Sequence, residues 1–277
     1  MGAVLPRYQP AAPEGEKQAF TVSPGNVDLW LIRSPEGGDN AVLDTSELDE
    51  AERRRANAFV RAADALLYAT AHVALRRLLA AYTGIAPRHV QFLREPCPGC
   101  GAAHGRPALK EPVFPFHFSL SHSGGIALVG VAPVPIGVDT EQLASQETVN
   151  ECSQALHPAE RDELAEAADP KGLFGQIWTR KEAFLKGIGT GLSRDLSEDY
   201  LGADIERHPP GWSVIDVPCG RAHCAAAAVR GPAPERVSLQ RVPGQWLGSR
   251  GIESHPAPGV PFAPMLACGV GRTADRA

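Results

Sequence analysis

The sequence predicts an α+β fold made of two similar α/β halves, related by a pseudo-twofold and carrying mainly antiparallel sheets. One observation is an internal echo, in which Leu48-Asp-Glu-Ala-Glu-Arg53 recurs as Leu156-His-Pro-Ala-Glu-Arg161. After each copy a longer helical pattern follows and ends at a Gly-Ile pair, at Gly84 and at Gly187. Short strand candidates joined by Gly/Pro turns lie around both copies. Because ligands often bind where two such halves meet, a site is expected at their interface.

The elements of the first half follow from hydrophobic periodicity and turn residues. Ser46 and Asp49 are predicted as N-caps of a charged helical stretch, and Gly84 as the stop of a long helix. The predicted strands are 27–32, 90–93, 114–120 and 126–131, and the predicted helical stretches are 43–59 and 62–82.

The second half is predicted to contain strands at 136–141, 212–217 and 222–229 and helices at 158–168 and 172–186. The resulting division is a loose N-terminal arm (1–25), an N-terminal half (26–132), a C-terminal half with the candidate catalytic helix (133–230) and a Pro/Gly-rich tail (231–277). Because Pro and Gly recur in the tail without a sustained period, we expect it to be poorly ordered or loosely packed.

Composition excludes several classes of protein. The net charge of −5 argues against a global electrostatic grip on nucleic acid or on anionic lipid. No apolar run approaches the roughly 20 residues that span a bilayer, and the N-terminus lacks the pattern of a secretory signal. Six cysteines in a chain of 277 residues do not resemble a disulfide scaffold. We therefore expect a cytoplasmic protein with reduced thiols.

Two carboxylates lie two residues apart in the strand Ile136-Gly-Val-Asp-Thr-Glu141. A period of two places Asp139 and Glu141 on one face, where their oxygens suit Mg²⁺. A solvated strand end is the alternative interpretation of this short pattern.

A second charged pair, Glu182 and Lys186, lies one turn apart on a predicted helix. As a functional pair, Glu182 is a base or metal ligand and Lys186 contacts a phosphate. As an ordinary surface salt bridge, the pair contributes a few tenths of a kcal/mol. The nearby aromatic residues Phe174, Trp178 and Phe184 favour a partly buried cluster.

Two loops carry further polar groups. Ser119-Leu-Ser-His-Ser-Gly-Gly125 offers hydroxyls, backbone amides and an imidazole to a phosphate, or is simply a polar turn. Cys97, Cys100 and His104 form part of a zinc pattern. A structural zinc site needs four ligands and no second C-x-x-C follows, so two reduced loop cysteines are the alternative.

Taken in order, these segments resemble the Sfp-type 4′-phosphopantetheinyl transferases over about residues 25–230. Each segment is short, but together they make a specific signature. The resemblance rests on Gly105-Arg-Pro107, Ser119-Leu-Ser-His-Ser123, Pro135-Ile-Gly-Val-Asp-Thr-Glu141, Trp178-Thr-Arg-Lys-Glu-Ala-Phe-Leu-Lys186 and Gly189-Thr-Gly-Leu192.

The resemblance implies transfer of the phosphopantetheine arm of coenzyme A to a serine of an acyl or peptidyl carrier protein. It implies Mg²⁺ as cofactor, with Mn²⁺ as a substitute, and coenzyme A as co-substrate. We expect a monomer without nucleic-acid or membrane partners. The roles implied are metal binding by Asp139, Glu141 and Glu182, catalysis by Glu182 and Lys186, and coenzyme A binding by Arg55, Arg106, Ser121, His122 and Lys186.

One position departs from the family pattern. Leu67 stands where many relatives carry an arginine, so one contact to the 3′-phosphate is missing. Arg61, Arg76 or Arg106 are the candidates to replace it. Two other functions stay open: a non-catalytic binding module with zinc in the cysteine loop, and a divalent-metal phosphohydrolase. Turnover of coenzyme A that depends on an added carrier protein distinguishes transfer from hydrolysis.

Overall fold

The computed structural model describes residues 8–9, 20–35, 43–111 and 116–248. Within them the strands are β1 (Tyr8–Gln9), β2 (Asn26–Arg33), β3 (Phe92–Arg94), β4 (Pro107–Leu109), β5 (His117–Ser123), β6 (Ile126–Ala132), β7 (Ile136–Gln142), β8 (Trp212–Asp216), β9 (His223–Arg230) and β10 (Arg236–Arg241). The α-helices are α1 (Glu50–Asn57), α2 (Ala62–Thr83), α3 (Gln146–Cys152), α4 (Pro158–Glu166) and α5 (Pro170–Ile188).

Two main sheets organise the chain. The first has the order β1-β10-β2-β6-β5, the second has the order β7-β9-β8, and β3 and β4 form a separate ribbon. The pairs β2–β6, β5–β6, β7–β9, β8–β9 and β3–β4 are antiparallel, whereas β10 runs parallel to both β1 and β2. The predicted α+β class with mainly antiparallel sheets is confirmed.

The two sheets pack through a shared apolar core. Leu29, Leu31 and Leu128 of the first sheet lie in one buried cluster with Ile136 and Val138 of the second. Such burial contributes roughly 25 cal/mol per Å² of apolar surface, which fixes the sheets against each other. The other face of the first sheet is covered by α2, whose buried face includes Val73, Leu78 and Leu79. None of the helices in the described ranges is long and apolar enough to cross a bilayer.

The first helices of the chain begin at residues whose side chains cap the helix N-terminus. Asp49 caps α1 and forms a capping box with Glu52, as predicted for Asp49. The prediction for Ser46 was wrong. Asp44 caps the short 3₁₀ turn Thr45–Glu47, and Ser46 donates its hydroxyl to that carboxylate at 2.6 Å. Gly84 ends α2 in the left-handed conformation, with φ of 75°, as predicted.

The internal echo marks the same local arrangement twice. Glu52 accepts a hydrogen bond from the Asp49 amide and pairs with the buried Arg76 of α2 at 2.7 Å. Glu160 accepts from the His157 amide and pairs with the buried Lys181 of α5 at 2.8 Å. In each case a capping-box glutamate of a short helix is neutralised by a cation on the following long helix. Each ion pair offsets part of the free energy that burying its two charges away from water would cost.

The segment after Gly231 is not uniformly loose, and that part of the prediction was wrong. β10 is hydrogen-bonded on both sides within the first sheet. Trp246 and Leu247 are buried in the core beneath α2. The Pro and Gly residues of this segment lie at the ends of a strand and do not prevent it from forming. Gly231, for example, is a turn residue with φ of 110°. The rest of the predicted tail, 249–277, lies outside the described residues.

The predicted loose arm is tied to the sheet at two described points. Tyr8–Gln9 pairs with β10, and the Phe20 ring stacks on Trp30 at 5.4 Å. Residues 1–7 and 10–19 lie outside the described part of the chain. The predicted division at residues 132 and 133 stays a prediction.

Candidate active site

The two sheets meet along their edge strands, β5 and β7. Alternate serines of β5 bond to β7 across this junction. The pairs are Ser119 Oγ with the Val138 amide at 3.1 Å, Ser121 Oγ with Asp139 Oδ1 at 2.8 Å, and Ser123 Oγ with the Gln142 amide at 3.3 Å. Because side chains alternate along a strand, Leu120 and His122 face the opposite side. The polar motif predicted as a phosphate turn is therefore also the seam between the two sheets.

Close packing of α5 on β7 positions the charged residues of that helix. A Cβ at Gly137 would lie 2.0 Å from the Ala183 carbonyl oxygen and 2.3 Å from the Gly187 amide nitrogen. Only glycine allows this approach, because both contacts are with backbone atoms. The helix consequently presents Glu182 and Lys186 over the strand that carries Asp139.

Lys186 and Asp139 form the centre of the site. Lys186 Nζ lies 2.6 Å from Asp139 Oδ1 and donates to Ser121 Oγ at 3.0 Å. Asp139 is 1% exposed, and its second oxygen, Oδ2, is buried without a hydrogen-bond partner among the described residues. A buried carboxylate oxygen normally has a partner, so Oδ2 is the atom of Asp139 that is available to a ligand.

The two carboxyl groups near Asp139, those of Glu141 and Glu182, have raised pKa values. Burial raises the pKa of Glu182, and the negative charge of Asp139 raises it further against the opposing effect of Lys186. Burial also raises the pKa of Glu141, which the Asp139 charge reinforces and a hydrogen bond from Ser123 opposes. Glu141 and Glu182 thus both lie within electrostatic reach of Asp139.

The three acids fit a hard divalent cation by donor chemistry. Oxygen ligands suit Mg²⁺, and a cation would relieve the repulsion among the carboxylates and bond the free oxygen of Asp139. Their oxygens do not, however, stand as a group within 4.8 Å. In the described residues, three potential ligand atoms come that close only at Cys97, Cys100 and His104.

A cavity of about 750 Å³ opens beside Lys186. Both halves line it, and its charged or titratable wall residues include Arg55, His72, His104, Arg106, His122 and Lys186. Lys186 thus lies between the cavity and the acids. Its volume falls in the range of small-molecule and cofactor sites.

Arg106 joins the β3–β4 ribbon to α5. Its Nε donates to Glu95 Oε2 at 2.8 Å, and its Nη1 donates to the Gly187 carbonyl oxygen at 3.0 Å. The arginine is therefore held in place from both halves of the chain while it lines the cavity.

His122 faces the cavity among other basic groups. Burial lowers the pKa of His122, and the neighbouring charges of His72, Lys186 and Arg55 lower it further. The Tyr68 ring lies edge-on to it at 5.8 Å. An anion in the cavity would oppose these positive charges and so raise the pKa of His122.

His72 and Tyr68 are among the wall residues that sequence reasoning missed. His72 bonds through Nδ1 to Glu52 Oε1 at 3.0 Å and stacks on Tyr68 at 4.1 Å. Their spacing of four residues on α2 places both on one face of the helix, which was the available signal. A histidine on an otherwise apolar helix more often belongs to the core, so the sequence alone did not select it.

Other sequence candidates lie elsewhere than expected. Ser121 is buried, and its hydroxyl bonds to Asp139 and Lys186 instead of lining the cavity. Leu67 is buried in the core at 4% exposure. Arg76 is fully buried on Glu52 and Asp49, so it cannot replace a missing phosphate contact. Arg61 is exposed at the start of α2.

The cysteine loop lies at the rim of this cavity. Cys100 Sγ is 3.0 Å from His104 Nε2, and Cys97 Sγ is 3.9 Å from Ser193 Oγ. The backbone amides of Cys100 and Gly99 donate to the Cys97 sulfur and lower the pKa of its thiol.

Comparison with known proteins assigns the family. A model of the 4′-phosphopantetheinyl transferase superfamily matches residues 135–212, which include Asp139, Glu141, Glu182 and Lys186. A protein of Synechocystis sp., provisionally named as a 4′-phosphopantetheinyl transferase, is 32% identical over 179 residues. That alignment covers 61% of this chain and 68% of the Synechocystis protein. The chain belongs to the 4′-phosphopantetheinyl transferase superfamily.

Further relatives agree with this assignment. The 4′-phosphopantetheinyl transferase HetI of Nostoc sp. is 27% identical over 222 residues, covering 76% of this transferase and 91% of HetI. A 4′-phosphopantetheinyl transferase of Bacillus subtilis is 31% identical over 124 residues, covering 44% of this chain and 52% of its own. The family resemblance and the enzyme class predicted from the motifs are confirmed, and the binding-module and phosphohydrolase alternatives are not favoured.

Proposed function

We propose that this transferase moves the 4′-phosphopantetheine arm of coenzyme A onto a serine hydroxyl of an acyl or peptidyl carrier protein and releases 3′,5′-ADP. The observation that carries the proposal is the position of Lys186. Its ammonium group lines the cavity and also lies 2.6 Å from the buried Asp139. A phosphate held in the cavity would therefore lie beside Asp139, Glu141 and Glu182, the acids proposed to bind the metal ion and to accept the proton.

Coenzyme A binds in the cavity through its phosphates. Arg55, Arg106 and Lys186 supply fixed positive charge, and His122 gains charge when a phosphate approaches. His72, held by Glu52, adds a further imidazole to the same wall. Charge-assisted hydrogen bonds from such groups hold a phosphate more strongly than neutral donors do. We assign the 3′-phosphate to the wall of Arg55, His72 and His122.

Asp139, Glu141 and Glu182 hold Mg²⁺, for which Mn²⁺ substitutes. When bound, the cation would supply positive charge that favours phosphoryl transfer. Asp139 offers the free oxygen Oδ2, because Oδ1 is already occupied by Lys186 and Ser121. The carboxylate is thereby oriented before any ligand arrives.

Glu182 accepts the proton of the carrier serine. Glu182 lies on α5 one turn from Lys186, so a base there stands beside the phosphate that Lys186 would hold. Lys186, one turn away, holds the phosphate oxygen on which charge develops. Phosphoryl transfer asks the protein mainly for such positioning and charge stabilisation.

The same proposal includes the setting of the reaction. We place the enzyme in the cytoplasm as a monomer away from membranes, activating carrier proteins of secondary metabolite biosynthesis. Cys97, Cys100, Cys152 and Cys219 are free thiols, which supports a reducing compartment.

Intact-mass spectrometry of an apo carrier protein tests the function. Incubation with this chain, coenzyme A and Mg²⁺ should add about 340 Da, the mass of the transferred arm. A carrier variant with its acceptor serine changed to alanine is the matched control and should gain nothing. Release of 3′,5′-ADP without carrier labelling would instead indicate hydrolysis and overturn the proposal.

A further inference from the structure

The hairpin loop between β3 and β4 holds a cluster of three metal-ligand side chains that the proposed reaction does not use. One ligand atom from each of Cys97, Cys100 and His104 lies within 4.8 Å of the other two. A tetrahedral ion with Zn–S bonds of about 2.3 Å and Zn–N bonds of about 2.1 Å separates its ligand atoms by roughly 3.5–3.8 Å. The side chains therefore need only small movements to bind one ion.

The backbone of the loop has the form of a metal-binding turn. The Gly101 amide donates to the Cys97 carbonyl at 2.8 Å, and Gly101 itself adopts φ of 74°. The amides of Gly99 and Cys100 point at the Cys97 sulfur. The turn thus presents both sulfurs to one point.

The imidazole distinguishes a metal site from a thiol pair. Two cysteines in a C-x-x-C sequence are equally compatible with a disulfide, but His104 Nε2 lies 3.0 Å from Cys100 Sγ. Two sulfurs and one imidazole are borderline-soft donors, which select Zn²⁺ over Mg²⁺. The oxygen donors of Asp139, Glu141 and Glu182 have the opposite preference.

We propose that Cys97, Cys100 and His104 bind one Zn²⁺ ion, with a water molecule as the fourth ligand. Cys100 and His104 are exposed, which leaves the fourth position open to solvent. Cys97 is buried against Ser193 of the second half, 3.9 Å away. The ion closes the loop directly before Arg106 and so stiffens the part of the ribbon that reaches α5.

Metal analysis tests the site on the intact chain. The protein is first reduced and stripped with a chelator, then dialysed against Zn²⁺ in excess Mg²⁺, which keeps the carboxylate oxygens occupied. We expect about one Zn²⁺ per chain, and a stoichiometry near zero would overturn the proposal. Co²⁺ in place of Zn²⁺ should give the visible bands of a tetrahedral ion with sulfur-to-metal charge transfer, and octahedral bands alone would contradict it.

Because the Cys100 and His104 side chains are exposed, replacing either one should not prevent the chain from folding. Cys100→Ser and His104→Gln should each lose most of the bound Zn²⁺, whereas Cys152→Ser, outside the loop, should keep it. Hydrogen exchange of the Gly101–Arg106 amides should slow when Zn²⁺ is added to the unaltered chain and not in Cys100→Ser. Equal Zn²⁺ binding by Cys100→Ser and the unaltered chain would refute the assignment.

Discussion

Lys186 on α5 reaches across to β7 and places its ammonium nitrogen 2.6 Å from Asp139 Oδ1. The contact joins a partly exposed cation that lines the cavity to a carboxylate that is almost fully buried. Because Ser121 bonds to both groups, their relative position is fixed from the edge of the first sheet as well. The central polar contact of the site is thus built from three different elements.

Lys186→Ala should lower the rate and weaken coenzyme A binding together, because this charge touches both the bound phosphate and the transition state. It also leaves Asp139 without its cation, so the variant should bind Mg²⁺ at least as tightly as the unaltered chain. Single-turnover labelling and coenzyme A titration measure the two effects. Lys171→Ala, an exposed lysine at the start of α5, is the control. Unchanged coenzyme A affinity in Lys186→Ala would exclude the phosphate contact.

Glu141→Gln should raise the Mg²⁺ concentration needed for half-maximal rate about tenfold, equivalent to about 1.4 kcal/mol of cation binding. The amide keeps the shape and loses the charge. Mg²⁺ titration of the labelling rate is the measurement, with the exposed Glu147→Gln as control. Full turnover of the unaltered chain in excess EDTA would show that the reaction needs no divalent cation.

Protonation of His122 should couple coenzyme A binding to pH. Since burial and the neighbouring charges lower the pKa of His122, the free enzyme favours the neutral ring more than an exposed histidine does. A bound phosphate raises that pKa, so binding takes up a proton and tightens as pH falls from about 8 to 6. The phosphate titrates in the same range, and Arg55, His72 and Lys186 also face the ring.

The comparison with His122→Gln isolates the histidine. Coenzyme A dissociation constants for both chains should diverge as pH falls, with the unaltered chain binding more tightly. Parallel curves across the whole range would show that His122 does not contact the phosphate.

Gly137→Ala should destabilise the fold by about 2 kcal/mol or more, because the new methyl group meets backbone atoms of α5 that cannot move aside. Thermal or denaturant unfolding measures the loss. Gly244→Ala, where nothing lies within 4 Å of the new Cβ, is the matched control and should change stability little. A stable Gly137→Ala chain with normal labelling would mean that α5 tolerates a shift over β7.

The sequence predicted the elements whose signals are local. Gly84 and Asp49 stop and start helices through their own backbone and side-chain chemistry, and both positions were predicted correctly. β10 was missed because its strand character depends on pairing with β2, whose partner residues lie 210 positions earlier in the chain (236 − 26). α3 was missed because one buried residue, Val149, gives no period.

The candidate site was predictable only in part, because motifs identify residues locally but do not show which of them come into contact. Asp139 and Glu182 were selected from motifs, but the contact between Asp139 and Lys186 depends on how α5 crosses β7. Arg76 illustrates the opposite case. As an arginine on the helix that lines the cavity, it was a candidate for phosphate binding, yet Glu52 on a separate helix holds it in the core. Long-range packing decides such cases.

Glu182→Gln tests the central claim most directly. If Glu182 is the base and a metal ligand, the amide cannot accept the serine proton, and single-turnover labelling of carrier protein should slow by roughly 10²-fold or more. Coenzyme A binding should weaken less. Glu166→Gln, an exposed glutamate of α4, should label at the normal rate. A Glu182→Gln chain that labels carrier protein at nearly the unaltered rate would contradict the account.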